Sequence, residues 1–173
     1  NTAPFFARQL IQRLVTSNPS PAYVGRVAAV FANNGRGTRG DLAATLRAVL
    51  LDVDARDPYR LSDPLFGKLR EPVQRLLNWG RGFGAASPSG NWAVGDLSDA
   101  ATRLGQSPMR SSSVFNFFRP GYVPPGTAIA QAGYVAPEMQ ITHESSVAGY
   151  VNYMQAVVAG SRIDDVRADY AGL

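Results

Sequence analysis

The residues with chemistry to offer gather in one segment and a short stretch beyond it. Residues 103–126 read RLGQSPMRSSSVFNFFRPGYVPPG, which sets Arg110, Ser113, Asn116, Arg119 and Tyr122, with Ser111 and Ser112, among aromatic and proline residues. Guanidinium groups bind carboxylate, phosphate or sulfate through paired hydrogen bonds, and the hydroxyls and the amide could complete such a contact. Downstream, His143 and Glu144 stand in QITHESS, and His143 is the only histidine of the chain. Arg110, Ser113, Asn116, Arg119, Tyr122, His143 and Glu144 form the candidate ligand-binding set. No catalytic residue is assigned, and no metal or cofactor is expected.

Several familiar chemistries fail on residue type or context. The serines at 111–113 lack the glycine-flanked elbow of a hydrolase nucleophile, and a triad would have to bring His143 beside one of them. A single imidazole and no cysteine cannot build a typical zinc site. A hard-metal site of Glu138, Glu144 and loop carbonyls is the weaker alternative to a plain helix start, with Thr142 as cap and Glu144 at the positive end. GRGTRG, with Gly35, Gly37 and Gly40, matches the dinucleotide fingerprint letter for letter. That turn must follow a strand, whereas an amphipathic helix precedes Gly35, and Asp41 stands where a Walker loop needs lysine. Trp79, Trp92, Tyr122 and Tyr134 could stack on sugars, although aromatic residues more often anchor cores and loops. Lys68, Arg70, Glu71 and Arg75 read as a solvated mixed-charge turn.

Composition narrows the partners. The net charge of +4 comes from 17 basic and 13 acidic side chains, and Lys68 is the only lysine among them. The arginines are dispersed along the chain rather than clustered near aromatic platforms, so no nucleic-acid partner is expected. No run approaches the roughly 18 apolar residues of a membrane span, and no signal-type segment is present.

The elements that must position these groups are helical. Phe6, Ala7, Leu10, Ile11, Leu14 and Val15 predict an opening helix. Ser20 before Pro21 predicts a capped second helix burying Val24, Val27, Ala28 and Phe31. A capping box of Thr38 and Asp41 predicts a third, marked by the apolar spacing of Leu42, Leu46, Val49 and Leu50. Helical periodicity over 61–84 is interrupted at Pro72, where a helix should start or restart. Asp96 should cap a short helix carrying Leu97, Ala101 and Leu104 and closed by Gly105. Val147, Tyr150, Val151, Met154, Val157 and Val158 give the strongest stripe, and Ser161 with Asp164 suggests a further cap. The loop 103–126 should pack its aromatic residues beneath its polar ones, because structureless connections of that length are uncommon in compact domains. With 45% apolar residues and no sustained period-two alternation, the chain is expected to be all-α. It should form one irregular multi-helix domain over 1–173 with a long ordered loop.

Five segments in order, NTAPFFARQLIQRLVTSNPSPAYV, RGDLAATLRAVLLD, FGKLREPVQRLLNW, RLGQSPMRSSSVFNFFRPGYVPPG and VAPEMQITHESS, resemble the C-terminal part of the bacterial domain of unknown function (DUF) 1800 family. The resemblance implies a predominantly helical fold, a longer parent protein and export to the periplasm or cell surface. It carries no established activity or functional residue, and a tryptophan- and histidine-containing segment typical of the family's earlier part has no counterpart here. The leading expectation is a binding or structural module at the cell envelope, with a carbohydrate or anionic polymer, such as an envelope polysaccharide, as ligand. The alternatives are an enzyme whose site is completed by upstream residues, with Arg110, Asn116, Arg119, His143 and Glu144 contributing, and a subunit that packs on a partner protein chain.

Overall fold

A computed structural model describes residues 1–161, 163 and 165–171. The order is α1 (Thr2–Leu14), α2 (Pro21–Ala32), α3 (Leu42–Leu51), α4 (Val53–Arg56), a 3-10 turn (Pro58–Ser62), α5 (Pro72–Gly82), α6 (Ala128–Gln131), a 3-10 turn (Pro137–Ile141) and α7 (Glu144–Val158). The fold is all-α: the described residues contain no strand, and their one isolated bridge pairs Ala86 with Arg167. They form two compact units, Asn1–Leu69 with Pro120–Pro137, and Arg70–Arg119 with Glu138–Leu173.

In the first unit α1, α2 and α3 each pack on the other two. Their core is Ala7, Ile11, Tyr23, Val27, Ala28 and Val49. Ser20 caps α2 as its sequence predicts, accepting the Tyr23 N–H at 3.1 Å ahead of Pro21. The Tyr23 hydroxyl, fully buried, donates to the Val49 carbonyl. Burial, with Asp52 and Asp54 adding to it, pushes that phenol well above its ordinary range. Asn18 clasps a distant segment: its amide donates to Val135 O at 2.9 Å, and its carbonyl accepts Val135 N–H at 3.0 Å.

The start and register of α3 differ from expectation. Asp41 itself is the cap, accepting from Ala44 N–H at 3.0 Å, so the box with Thr38 does not form. The buried positions are Thr45 and Val49, while Leu42, Leu46 and Leu50 face solvent. Apolar period alone could not choose between these faces, because the helix is apolar almost all round.

The second unit is built on Leu76, Trp79, Leu97, Leu104, Tyr153, Val157, Ile163 and Val166. Helix α5 starts at Pro72 as expected, but Glu71 does not cap it with its side chain. Gln106 does that work from the loop: its carbonyl accepts Val73 N–H at 3.3 Å, and its amide donates to Glu71. Glu71 is therefore buried, 5% exposed, rather than part of a solvated turn. Lys68, Arg70 and Arg75 do not share its burial.

Two further departures have local causes. No helix forms over 96–105. Asp96 accepts Ser98 N–H at 2.9 Å, and Asp99 accepts the N–H groups of Ala101 and Thr102 at 2.9 and 2.8 Å. These side chains capture the donors a helix would have needed. In α7 the buried residues are Ser146, Gly149, Tyr153 and Val157, whereas Val147, Val151 and Val158 are exposed. The helix is rotated so that Gly149 lies against the backbone of Ala100 and Ala101, an approach no side chain permits. Of the suggested final cap, Asp164 lies outside the described residues.

Candidate functional site

The loop carrying most of the sequence-predicted set is tied down at its ends and bare at its tip. Leu104, Gln106, Ser107 and Phe118 are buried. Met109, Val114 and Phe115 stand in solvent, which reverses the expected layering of polar groups over buried aromatics. Met109 and Asn116 both have positive φ, at 61° and 69°. Their turns are closed by Arg110 N–H to Ser107 O at 3.2 Å and Asn116 N–H to Ser113 O at 3.1 Å, and the resulting bends leave the apolar tip nothing to pack on.

Of the candidate residues, Arg110, Ser113 and His143 have side chains engaged in this scaffold. Arg110 pairs with Asp96 at 3.0 Å, both exposed. Ser113 Oγ accepts the Phe115 N–H at 3.2 Å, and the backbone N–H of Arg119 donates to the Gln140 side chain at 2.8 Å. His143, not Thr142, is the cap of α7. Its Nδ1 accepts Ser146 N–H at 3.4 Å, while Ser146 Oγ accepts the His143 N–H at 2.9 Å. A role for His143 as base or ligand is thereby left to Nε2. Glu144 occupies the first turn of α7. Tyr122 belongs to the first unit, where its carbonyl accepts Ala136 N–H at 2.9 Å. None of these residues lines the three hollows described for the chain. No group of three or more His, Cys, Asp or Glu side chains able to hold a metal occurs among the described residues, and no helix is long and apolar enough to cross a membrane.

A different set of polar residues does converge. Between α2, the turn 33–40 and α3 lies an open hollow of about 800 Å³ whose polar lining is Arg26, Asn34, Arg36, Asp41, Arg47 and Asp52. The turn is GRGTRG. Four of its amides are already satisfied: Asn33 Oδ1 accepts from Gly35 and Gly37 at 2.9 and 3.0 Å, and Asn34 Oδ1 from Arg36 and Thr38 at 2.9 and 3.2 Å. Gly35, Gly37 and Gly40 all have φ near 80° and supply the bends for this packing. The turn is thus no nucleotide cradle, for its donors point at asparagine side chains.

The carboxylates in the hollow have internal partners as well. Asp41 holds the α3 cap and accepts from the Asn34 amide at 2.7 Å; the Ala44 amide, then Asn34, keep its carboxyl below the usual range. Asp52 receives Arg26 through two bonds of 2.8 and 2.6 Å, and the Arg26 guanidinium holds it low in turn. Arg36 and Arg47 have no ion pair among the described residues. Hydrogen bonds from neutral groups leave Asp41 its charge, on which Arg36 acts, so the three guanidiniums of the lining against two carboxylates leave the hollow positive by one charge. These residues were visible in the sequence only as the arginines of a rejected motif and one on the following helix. Their meeting depends on the 33–40 turn folding back on α3.

A model of a protein of unknown function, DUF1800, matches residues 1–171 of the chain. No curated protein and no solved structure matches it.

Proposed function

We propose that this chain, which belongs to the DUF1800 family, is a binding module for an anionic polymer, acting in an exported protein at the bacterial cell envelope. The observation that carries this reading is the hollow of the first unit, where three guanidiniums face two carboxylates, Arg26 is taken by Asp52, and Arg36 and Arg47, which make no ion pair among the described residues, can meet an external anion. An open hollow suits a chain that passes through it rather than a small molecule enclosed by it. Its lining contains no aromatic side chain, so it offers no platform on which nucleic-acid bases would stack. A uronate- or sulfate-bearing polysaccharide meets both conditions. The exported setting rests on the family resemblance.

The test is titration of the protein with polygalacturonate and with uncharged dextran, at low and at physiological salt. Binding of the polyanion only, weakened by salt and reduced at least about tenfold in the Arg36→Gln/Arg47→Gln variant, is the expected result. Equal binding of dextran, or an unchanged affinity in the double variant, would overturn the reading. Both arginines are exposed, so the variant should fold as the parent does.

A further inference from the structure

The second unit contains a hollow of a different kind. It measures about 590 Å³ and lies between α5, the segment 92–97 and the residues Ile163 and Val166. Leu76, Leu77, Trp79, Trp92, Leu97 and Ile163 are among the apolar residues of its wall. Trp79 turns no donor toward a ligand, because its indole N–H is given to the Tyr170 hydroxyl at 2.8 Å. The one ionisable side chain in the lining is Arg81, on the last turn of α5, and it makes no ion pair among the described residues. Such a lining recognises an apolar body by area and a single anionic end by charge.

The rim residue Trp92 is held in a costly conformation. It has φ of 53° and is 55% exposed. A large side chain in the left-handed region persists only where its surroundings impose it. Here the surroundings are Asp165, which accepts from Ser87 Oγ at 2.9 Å, Ser89 N–H at 3.3 Å and Ala93 N–H at 3.0 Å. Ser87 Oγ in turn accepts the Trp92 N–H at 3.1 Å. One carboxylate thus fixes the whole turn 87–93 and sets an indole, half in water, at the mouth of an apolar hollow.

We infer that this hollow is a binding site for a small amphiphile with a single extended apolar body and an anionic head, the body lying against Trp79, Trp92 and Leu76 and the head on Arg81. It is independent of the basic hollow in the first unit, and either proposal can fail alone.

Trp79 and Trp92 are the only tryptophans of the chain, and both line the hollow. Intrinsic fluorescence therefore reads this site directly. The experiment titrates the protein with dodecanoate below its micelle concentration and, in parallel, with dodecanol. Expected is a saturable change in tryptophan emission with dodecanoate, and a clearly weaker response to the alcohol. Arg81→Gln should lower dodecanoate affinity about tenfold and leave dodecanol unchanged. Leu77→Glu, at an exposed position of the wall, should weaken both. Absence of a saturable change with dodecanoate overturns the site. Unchanged dodecanoate affinity in both variants places the amphiphile elsewhere and overturns it equally. Dodecanol bound as tightly as dodecanoate overturns the anionic head.

Discussion

Replacing Gly149 by alanine asks whether α7 sits where its rotated register requires. A methyl group there would stand 2.7 Å from both the carbonyl carbon and the oxygen of Ala101, and closer still to the oxygen of Ala100. Ordinary contacts of this kind begin near 3.4 Å, so the helix or the turn must retreat by about an ångström. Neither side has a flexible side-chain end with which to yield. Overpacking of this sort costs about 1–3 kcal/mol, and three backbone contacts argue for the upper end. Alanine's better helix propensity returns about 1 kcal/mol, leaving a net loss of about 2 kcal/mol. For a chain of this size that is a fall of about 4–8 °C in melting temperature. The control is Gly25→Ala in α2, where an added methyl meets nothing within 4 Å. The same chemical change there should raise stability by about 0.5–1 kcal/mol. Tryptophan emission follows the second unit for Gly149→Ala, and far-ultraviolet circular dichroism follows the helices for Gly25→Ala. If Gly149→Ala melts at or above the parent, α7 does not approach residues 100–101 and the packing argument fails.

Asn18→Ala should cost about 1–2 kcal/mol, because it strands both the N–H and the carbonyl of Val135; a urea titration in which the midpoint holds would show the clasp to be dispensable. Asp165 offers a pH test. The hydrogen bonds from Ser89, Ala93 and Ser87 lower its carboxyl from 3.8 to about 2. A depressed acid contributes its stability above 3.8 and loses it as pH falls through about 2. Trp92 emission should therefore shift to the red within that window, and Asp165→Ala should show the shifted emission already at neutral pH. A variant indistinguishable from the parent at neutral pH would mean that the turn 87–93 holds itself without the carboxylate.

What could be read from the residues alone was local. Ser20 with Pro21, and Pro72 at a helix start, are decided within one turn by cap chemistry and fixed φ, so the sequence speaks for them directly. The rotation of α3 and α7 was hidden, because each helix is apolar on more than one face and the choice between faces belongs to the neighbour. For α7 the signal was Gly149, a glycine inside a strong helical pattern, which points to a close backbone approach. The turn over 96–105 was misread because Asp96 was weighed as a helix cap, while Asp99, three residues on, takes the next amides, those of Ala101 and Thr102, for a turn of its own. The loop 103–126 was legible as ordered but not as inverted. The positive-φ residues at its bare tip are a methionine and an asparagine, which no glycine rule marks. The basic hollow could not be seen at all, since it needs the partner of each carboxylate, a property of geometry and not of composition.

The two units share the chain by turns, the first taking residues 1–69 and 120–137, the second 70–119 and 138–173. Neither can be obtained by cutting the sequence once. The Asn18 clasp joins residues 117 apart, so a ribosome must deliver most of the polypeptide before the first unit can close. During that interval the half-made unit must wait with its clasp open, exposed to proteases and to stray partners. An expression plasmid truncated at any natural-looking boundary, such as the stretch before Pro72, would yield the waiting form rather than a finished piece.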